Sequence, residues 1–140
     1  MKEANKTRTC AERIGKEWAR CREDLQILFA EYHNELTAEQ HAKFIDDHGT
    51  EPDPSEPRLY HYGLSFDYVE PATFPDQTEG YFRYQLSWGA PANEIRFYSA
   101  RSEYWFMDWY DSASINIDGD YVSSQVREFF DDYDVGMMQQ

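Results

Sequence analysis

The sequence predicts an α+β fold: an antiparallel meander of about four strands, with a long N-terminal helix and a C-terminal helix packed on it. Three observations lead there. Residues 4–34 carry one apolar stripe at helical spacing. The stretch from Tyr81 to Tyr110 is dense in aromatics and alternates apolar with polar residues, as half-buried strands do. Residues 118–135 open on a turn and return to helical spacing. The 140 residues, 41% hydrophobic and 17% aromatic, read as a single domain with a real core rather than a disordered chain. Within it, 1–49 is a helical front, 50–58 a proline-rich linker, 59–117 an antiparallel sheet and 118–135 the last helix.

Taken in order, Ala11, Ile14, Trp18, Cys21, Leu25, Leu28 and Tyr32 recur every three or four residues, and Phe29 widens the stripe. The stripe is expected to pack on the sheet. Its heptad-like spacing also permits a helix–helix seam in a homodimer. Asn34-Glu35 ends the helix. Thr37-Ala-Glu-Gln40 has the spacing of a capping box and starts a short helix to about Asp47. Phe44 and Ile45 are its apolar contacts, and Gly49 is its C-terminal stop. Leu59 to Val69 alternates and reads as one strand. Glu70 to Gly80 is a loop, and Tyr81 to Trp88 is the clearest strand.

After a loop at Gly89 to Asn93, Glu94 to Ser99 forms the next strand, with Ile95 and Phe97 inward. Tyr104 to Tyr110 returns with aromatics on both faces: Trp105, Met107 and Trp109 on one, Tyr104, Phe106, Asp108 and Tyr110 on the other. That pattern suits a strand covered on both sides, or one with an exposed aromatic face. Ser114 to Ile117 extends it or forms a short further strand. Asp118-Gly-Asp120 caps the last helix, whose apolar face is Val122, Val126, Phe129, Phe130 and Tyr133.

The charge is unevenly placed. Residues 1–22 carry a net +4, through Lys2, Lys6, Arg8, Arg13, Lys16, Arg20 and Arg22 against three Glu, and the remainder carries −18. Such a body repels nucleic acid and attracts basic protein surfaces. The basic helix face is expected to dock on the acidic body or on a partner rather than on nucleic acid. Apolar runs are only a few residues long, so no membrane span is expected. The basic N-terminus has no apolar stretch after it, so no signal peptide is expected and the protein reads as cytoplasmic.

Motifs of nucleophilic, nucleotide and zinc chemistry are absent: no G-x-S-x-G, no Walker A loop, no G-x-G-x-x-G and no H-E-x-x-H. Cys10 and Cys21 would lie about 16 Å apart along one helix, too far for a disulfide. His41 and His48 could share a helical face, but exposed polar positions explain both. Asp118-Gly-Asp120 lacks the alternating ligands and the terminal Glu of a calcium loop. Asp108, among Trp105, Trp109 and Tyr110, could act as a general acid with Glu103 or Asp111 as partner. Acidic residues are so frequent here that such a pair is expected by chance. The expectation is a protein that is not an enzyme and has no metal or cofactor.

The reading favoured by these features is nucleic-acid mimicry. Carboxylates two apart on a strand, or three to four apart on a helix, stand about 5–7 Å apart, comparable with phosphates along a nucleic-acid strand. The candidate partner-binding residues are Glu94, Glu103, Asp108, Asp111, Asp118, Asp120, Glu128, Asp131, Asp132 and Asp134, with Trp109 and Tyr110 supplying contact area. Glu128, Asp131, Asp132 and Asp134 crowd a helix C-terminus, where they oppose the macrodipole and so do not serve helix stability.

The segment YFRYQLSWGAPANEIRFY, followed by EYWFMDWYDSA, is similar to a pattern found in small acidic accessory proteins of phages and plasmids. The resemblance covers roughly residues 80–115 and supplies no catalytic residues. It implies an inhibitor of the anti-CRISPR or anti-restriction type, a DNA mimic that evades host defence by occupying a nuclease or guide complex. An immunity protein or antitoxin against a basic nuclease toxin needs the same acidic face. A homodimeric accessory protein, joined through the N-terminal helix, is the third reading.

Overall fold

The computed structural model describes residues 9–53, 55, 58–89 and 91–133, without the side chains of Asp132 and Tyr133. The architecture is α+β: a long N-terminal helix, a five-stranded antiparallel sheet and a C-terminal helix packed against it. Helix α1 spans Cys10–Tyr32. Thr9 starts it with a full capping box: its hydroxyl accepts from Glu12 N–H, and the Glu12 carboxylate accepts from Thr9 N–H. Thr9 itself is extended, so the described helix begins at Cys10. Residues 4–8 of the expected helix lie outside the described residues. Asn34, at φ +58°, ends the helix as expected. Asn34 N–H bonds Glu31 O and Glu35 N–H bonds Ala30 O, a Schellman closure.

The stripe is buried, with one change of register at its start. Cys10 takes the inward place expected for Ala11, which is exposed. Ile14, Trp18, Cys21, Leu25, Leu28 and Phe29 are buried, while Tyr32 stays partly open. Burial pushes the Cys21 thiol up to about 12, so it behaves as a small hydrophobe.

Helix α2, Ala38–His48, follows the predicted capping box between Thr37 and Gln40 and stops at Gly49 in the left-handed conformation. Phe44 is buried under the Arg58 guanidinium, and Ile45 is partly exposed. Arg58 also pairs with Glu31, which ties the proline-rich segment to α1.

The expected strand from Leu59 to Val69 is corrected. Leu59–Tyr62 forms one helical turn, α3, and only Ser65–Val69 is strand β1. Gly63 marks the break. The Tyr84 ring lies 2.2 Å from where a Gly63 Cβ would stand, so only glycine lets the chain pass there.

Strands β2 (Tyr81–Ser87), β3 (Ala92–Phe97), β4 (Ser102–Asp108) and β5 (Asp111–Asn116) complete the meander in the order β1-β2-β3-β4-β5. Five strands replace the expected four or so. A two-residue turn at Trp109-Tyr110 leads directly into β5, which pairs with β4 along its whole length. The sequence DSASIN lacks the large residues that announce a strand, because its edge position asks for only one packed face.

One sheet face is the core face. Phe66, Phe82, Tyr84, Ile95, Phe97, Tyr104, Phe106 and Ile115 lie on it by register. Helix α1 covers the β4–β5 half. Trp18 meets the Tyr104 ring at 5.1 Å. Helix α4, Tyr121–Tyr133, joins the β1–β3 half, where Phe130 stacks on Phe66 at 4.0 Å and contacts Tyr84 at 4.9 Å. Val122 and Val126 are fully buried. Each such aliphatic side chain contributes about 1.5–3 kcal/mol. The Asp120 carboxylate accepts from Val122 N–H at the start of α4 and receives Arg22 of α1 at 2.9 Å. One side chain thus caps α4 and fixes it to α1. No helix among the described residues is long and apolar enough to cross a membrane.

Candidate functional site

The chain's cations decide which carboxylates are left to meet a partner. Six Lys and Arg residues follow residue 22, and each is engaged within the fold. Lys43 pairs with Asp47, Arg58 with Glu31, Arg83 with Asp67, Arg96 with Glu94, and Arg101 with both Glu79 and Glu103. Arg127 donates to the Tyr98 carbonyl. Among the described residues, Glu23, Glu35, Glu39, Asp46, Glu70, Asp76, Asp118, Glu128 and Asp131 are exposed and have neither an ion pair nor a side-chain hydrogen bond, whereas Asp24, Asp53 and Asp111 are exposed but accept hydrogen bonds.

The face of the sheet opposite the core holds a row of direct cross-strand neighbours: Asp67, Arg83, Arg96 and Glu103. Like charges stand side by side at Arg83 and Arg96, which would cost stability if nothing compensated them. One carboxylate from the row and one from outside it compensate them. Arg83 holds Asp67 at 2.8 Å, and Arg96 holds Glu94 at 2.6 Å in the adjoining row. Arg96 is also clamped between rings, 3.8 Å from the Trp105 centroid and 4.7 Å from that of Tyr81. Burial opposes the Arg96 charge, yet the Glu94 carboxylate beside it raises its pKa above the ordinary value. This is a buried ion pair held by stacking, and it is structural in character.

The sequence-predicted residues therefore divide. Glu94 is only 4% exposed and is closed by Arg96. Glu103 accepts from Arg101 and from the Trp105 indole N–H. Asp108 holds Arg13 of α1 at 2.5 Å, which raises the Arg13 pKa. Asp111 accepts the Cys10 backbone N–H at 2.6 Å. Asp120 binds Arg22. Asp118, Glu128 and Asp131 face solvent. Asp134 and the Asp132 side chain lie outside the described residues. Of the basic N-terminal residues, Arg13 and Arg22 are the two that join α1 to the acidic body; Lys2, Lys6 and Arg8 lie outside the described residues.

Trp109 and Tyr110 form the β4–β5 turn with side chains 82% and 104% exposed. Trp109 holds φ at +58°, an uncommon state for a bulky residue. Trp88, 74% exposed, closes β2 at the same end of the sheet. Alternation alone misassigns it, since its spacing puts it on the core face with Phe82 and Tyr84. The signal that could have found it is the Gly89-Ala-Pro91 loop immediately after it. Asp118 follows β5 and Trp109 and Tyr110 precede it, so charges and rings lie at opposite ends of a six-residue strand, about 20 Å apart.

A cleft of about 330 Å³ opens between the end of α1 and the outer side of α4, lined by Phe29, Tyr32, His33, Tyr121, Ser124, Gln125, Glu128 and Phe129. No sequence motif announces it, because one wall ends at Tyr32 and the other begins only at Tyr121. Among the described residues, no three of His, Cys, Asp and Glu group as metal ligands would. No protein-family model, curated protein or solved structure matches the chain.

Proposed function

We propose that this chain is an acidic, non-enzymatic inhibitor. It docks on a basic nucleic-acid-binding surface of a host-defence nuclease or guide complex and occupies it by nucleic-acid mimicry. The observation that supports this best is the internal pairing of the cations. Each Lys and Arg beyond residue 22 has a partner within the fold, while nine described carboxylates face solvent without one. The surface potential is then strongly negative at long range and steers a basic partner.

Within that surface the geometry favours the last helix over the sheet. Glu94, Glu103 and Asp108 are held by arginines, whereas Glu128 and Asp131 are free neighbours three apart on α4, with Asp118 just before it. Their spacing of about 5–6 Å resembles that of phosphates. Trp88, Trp109 and Tyr110 offer exposed ring area at the far end of the sheet.

The test is a pull-down from host lysate at low and at high salt, with mass spectrometry of what is retained. A nuclease or guide-complex subunit released by salt is the expected result. A cognate toxin would make the chain an immunity protein. Retention that is indifferent to salt, or no retention at all, would sink mimicry.

A further inference from the structure

The cleft between α1 and α4 has the chemistry of a cation receptor. Its open rings are Tyr32 and Phe129, which meet edge-on at 5.3 Å; beneath them Phe29 is buried, with the His33 ring stacked on it at 6.2 Å. Tyr121, 68% exposed, stands on its rim. Glu128 supplies an exposed carboxylate without an ion pair, and Ser124 and Gln125 add neutral hydrogen-bonding groups. The last turn of α1 beside it holds no basic residue, and the His33 ring follows at the C-cap, so no Lys or Arg of that helix offsets its negative pole there. Ring faces, a carboxylate and a helix C-terminus all favour positive charge. A planar cation fits best, because it stacks on a ring and offers a carboxylate two parallel N–H donors.

We propose that this cleft is a receptor for an arginine side chain presented by the basic partner. The identity of the partner rests on the reading above; the cation specificity of the cleft does not. Bound arginine lays its guanidinium against the open rings and donates to the Glu128 carboxylate. Its aliphatic stem fills the space beside Tyr121. The cleft thereby gives the long-range acidic field a short-range anchor.

The experiment is an NMR titration of the intact protein with Nα-acetyl-arginine amide, and separately with its neutral isostere, Nα-acetyl-citrulline amide. Saturable shifts at the amides of Tyr121, Ser124, Gln125 and Glu128 are expected for the arginine probe, with a dissociation constant on the order of 1 mM. Citrulline binds at least about fivefold more weakly. Glu128→Gln weakens arginine about fivefold and Tyr121→Ala about threefold, both with an unchanged melting temperature. Glu39→Gln, which removes a charge from α2, leaves it unchanged. The proposal is overturned if the shifts do not saturate, if citrulline binds equally, or if Glu39→Gln weakens binding as much as Glu128→Gln. An empty pull-down together with saturable arginine binding would remove the nuclease partner and keep the cleft.

Discussion

The Asp111 carboxylate accepts a 2.6 Å hydrogen bond from the Cys10 backbone N–H, joining the start of α1 to the start of β5 across 101 residues. Cys10 is the first residue of α1, so its N–H is one of the donors a helix leaves unsatisfied. The Thr9–Glu12 box satisfies others, and Asp111 reaches across from the sheet to take this one. An acidic group there also complements the positive pole of α1.

The hydrogen bond from Cys10 holds the Asp111 pKa below its ordinary value. A carboxylate depressed in the folded state stabilises the fold above its unfolded pKa, about 3.9. The contribution is lost as pH falls through the folded value. Asp111→Asn should melt below the parent at pH 7, and the gap should narrow as pH drops below about 4. Melting curves of both proteins from pH 3 to 7 would show it. A gap that stays constant across that range would mean the charge of Asp111 is immaterial.

Trp18 is 8% exposed and packs on Tyr104 beneath α1. Trp18→Ala should cost about 3–5 kcal/mol in chemical denaturation, since it removes a large buried ring and leaves a cavity. A near-neutral change would mean that the α1 stripe serves an interface between chains instead.

Glu94→Gln should be destabilising by about 3 kcal/mol, because it leaves Arg96 charged between Tyr81 and Trp105 with no counter-ion. Replacing both members, as Glu94→Gln with Arg96→Met, should recover much of that loss. Urea unfolding of the single and double variants decides it. A double variant less stable than the single one would show that the stacked arginine matters more than its charge pairing.

Neutralising Asp118, Glu128 and Asp131 together, by Asn, Gln and Asn, should weaken partner binding at least about tenfold at low salt. Thermal stability should change little, since none of the three has an ion pair among the described residues. Calorimetric titration against the captured partner measures both the loss and its salt dependence. Unaltered affinity would move the docking surface off α4.

By itself, the sequence determined the local elements. The capping box of Thr37 and Gln40, the stop at Gly49, the α1 stripe and the inward pair Ile95 and Phe97 were all legible, because each depends on neighbours within a few residues. The tertiary structure decided the rest. Gly63 bends the chain because the Tyr84 ring comes against it, and nothing near Gly63 in sequence says so. Residues 111–116 become a strand because β4 lies beside them. The division of the carboxylates was likewise hidden: Asp108 and Asp118 look alike in sequence, and only folding brings Arg13 to the first and leaves the second to solvent. Charge pairing is a contact between distant residues, so which charges remain free for a partner is fixed only when the helices meet the sheet.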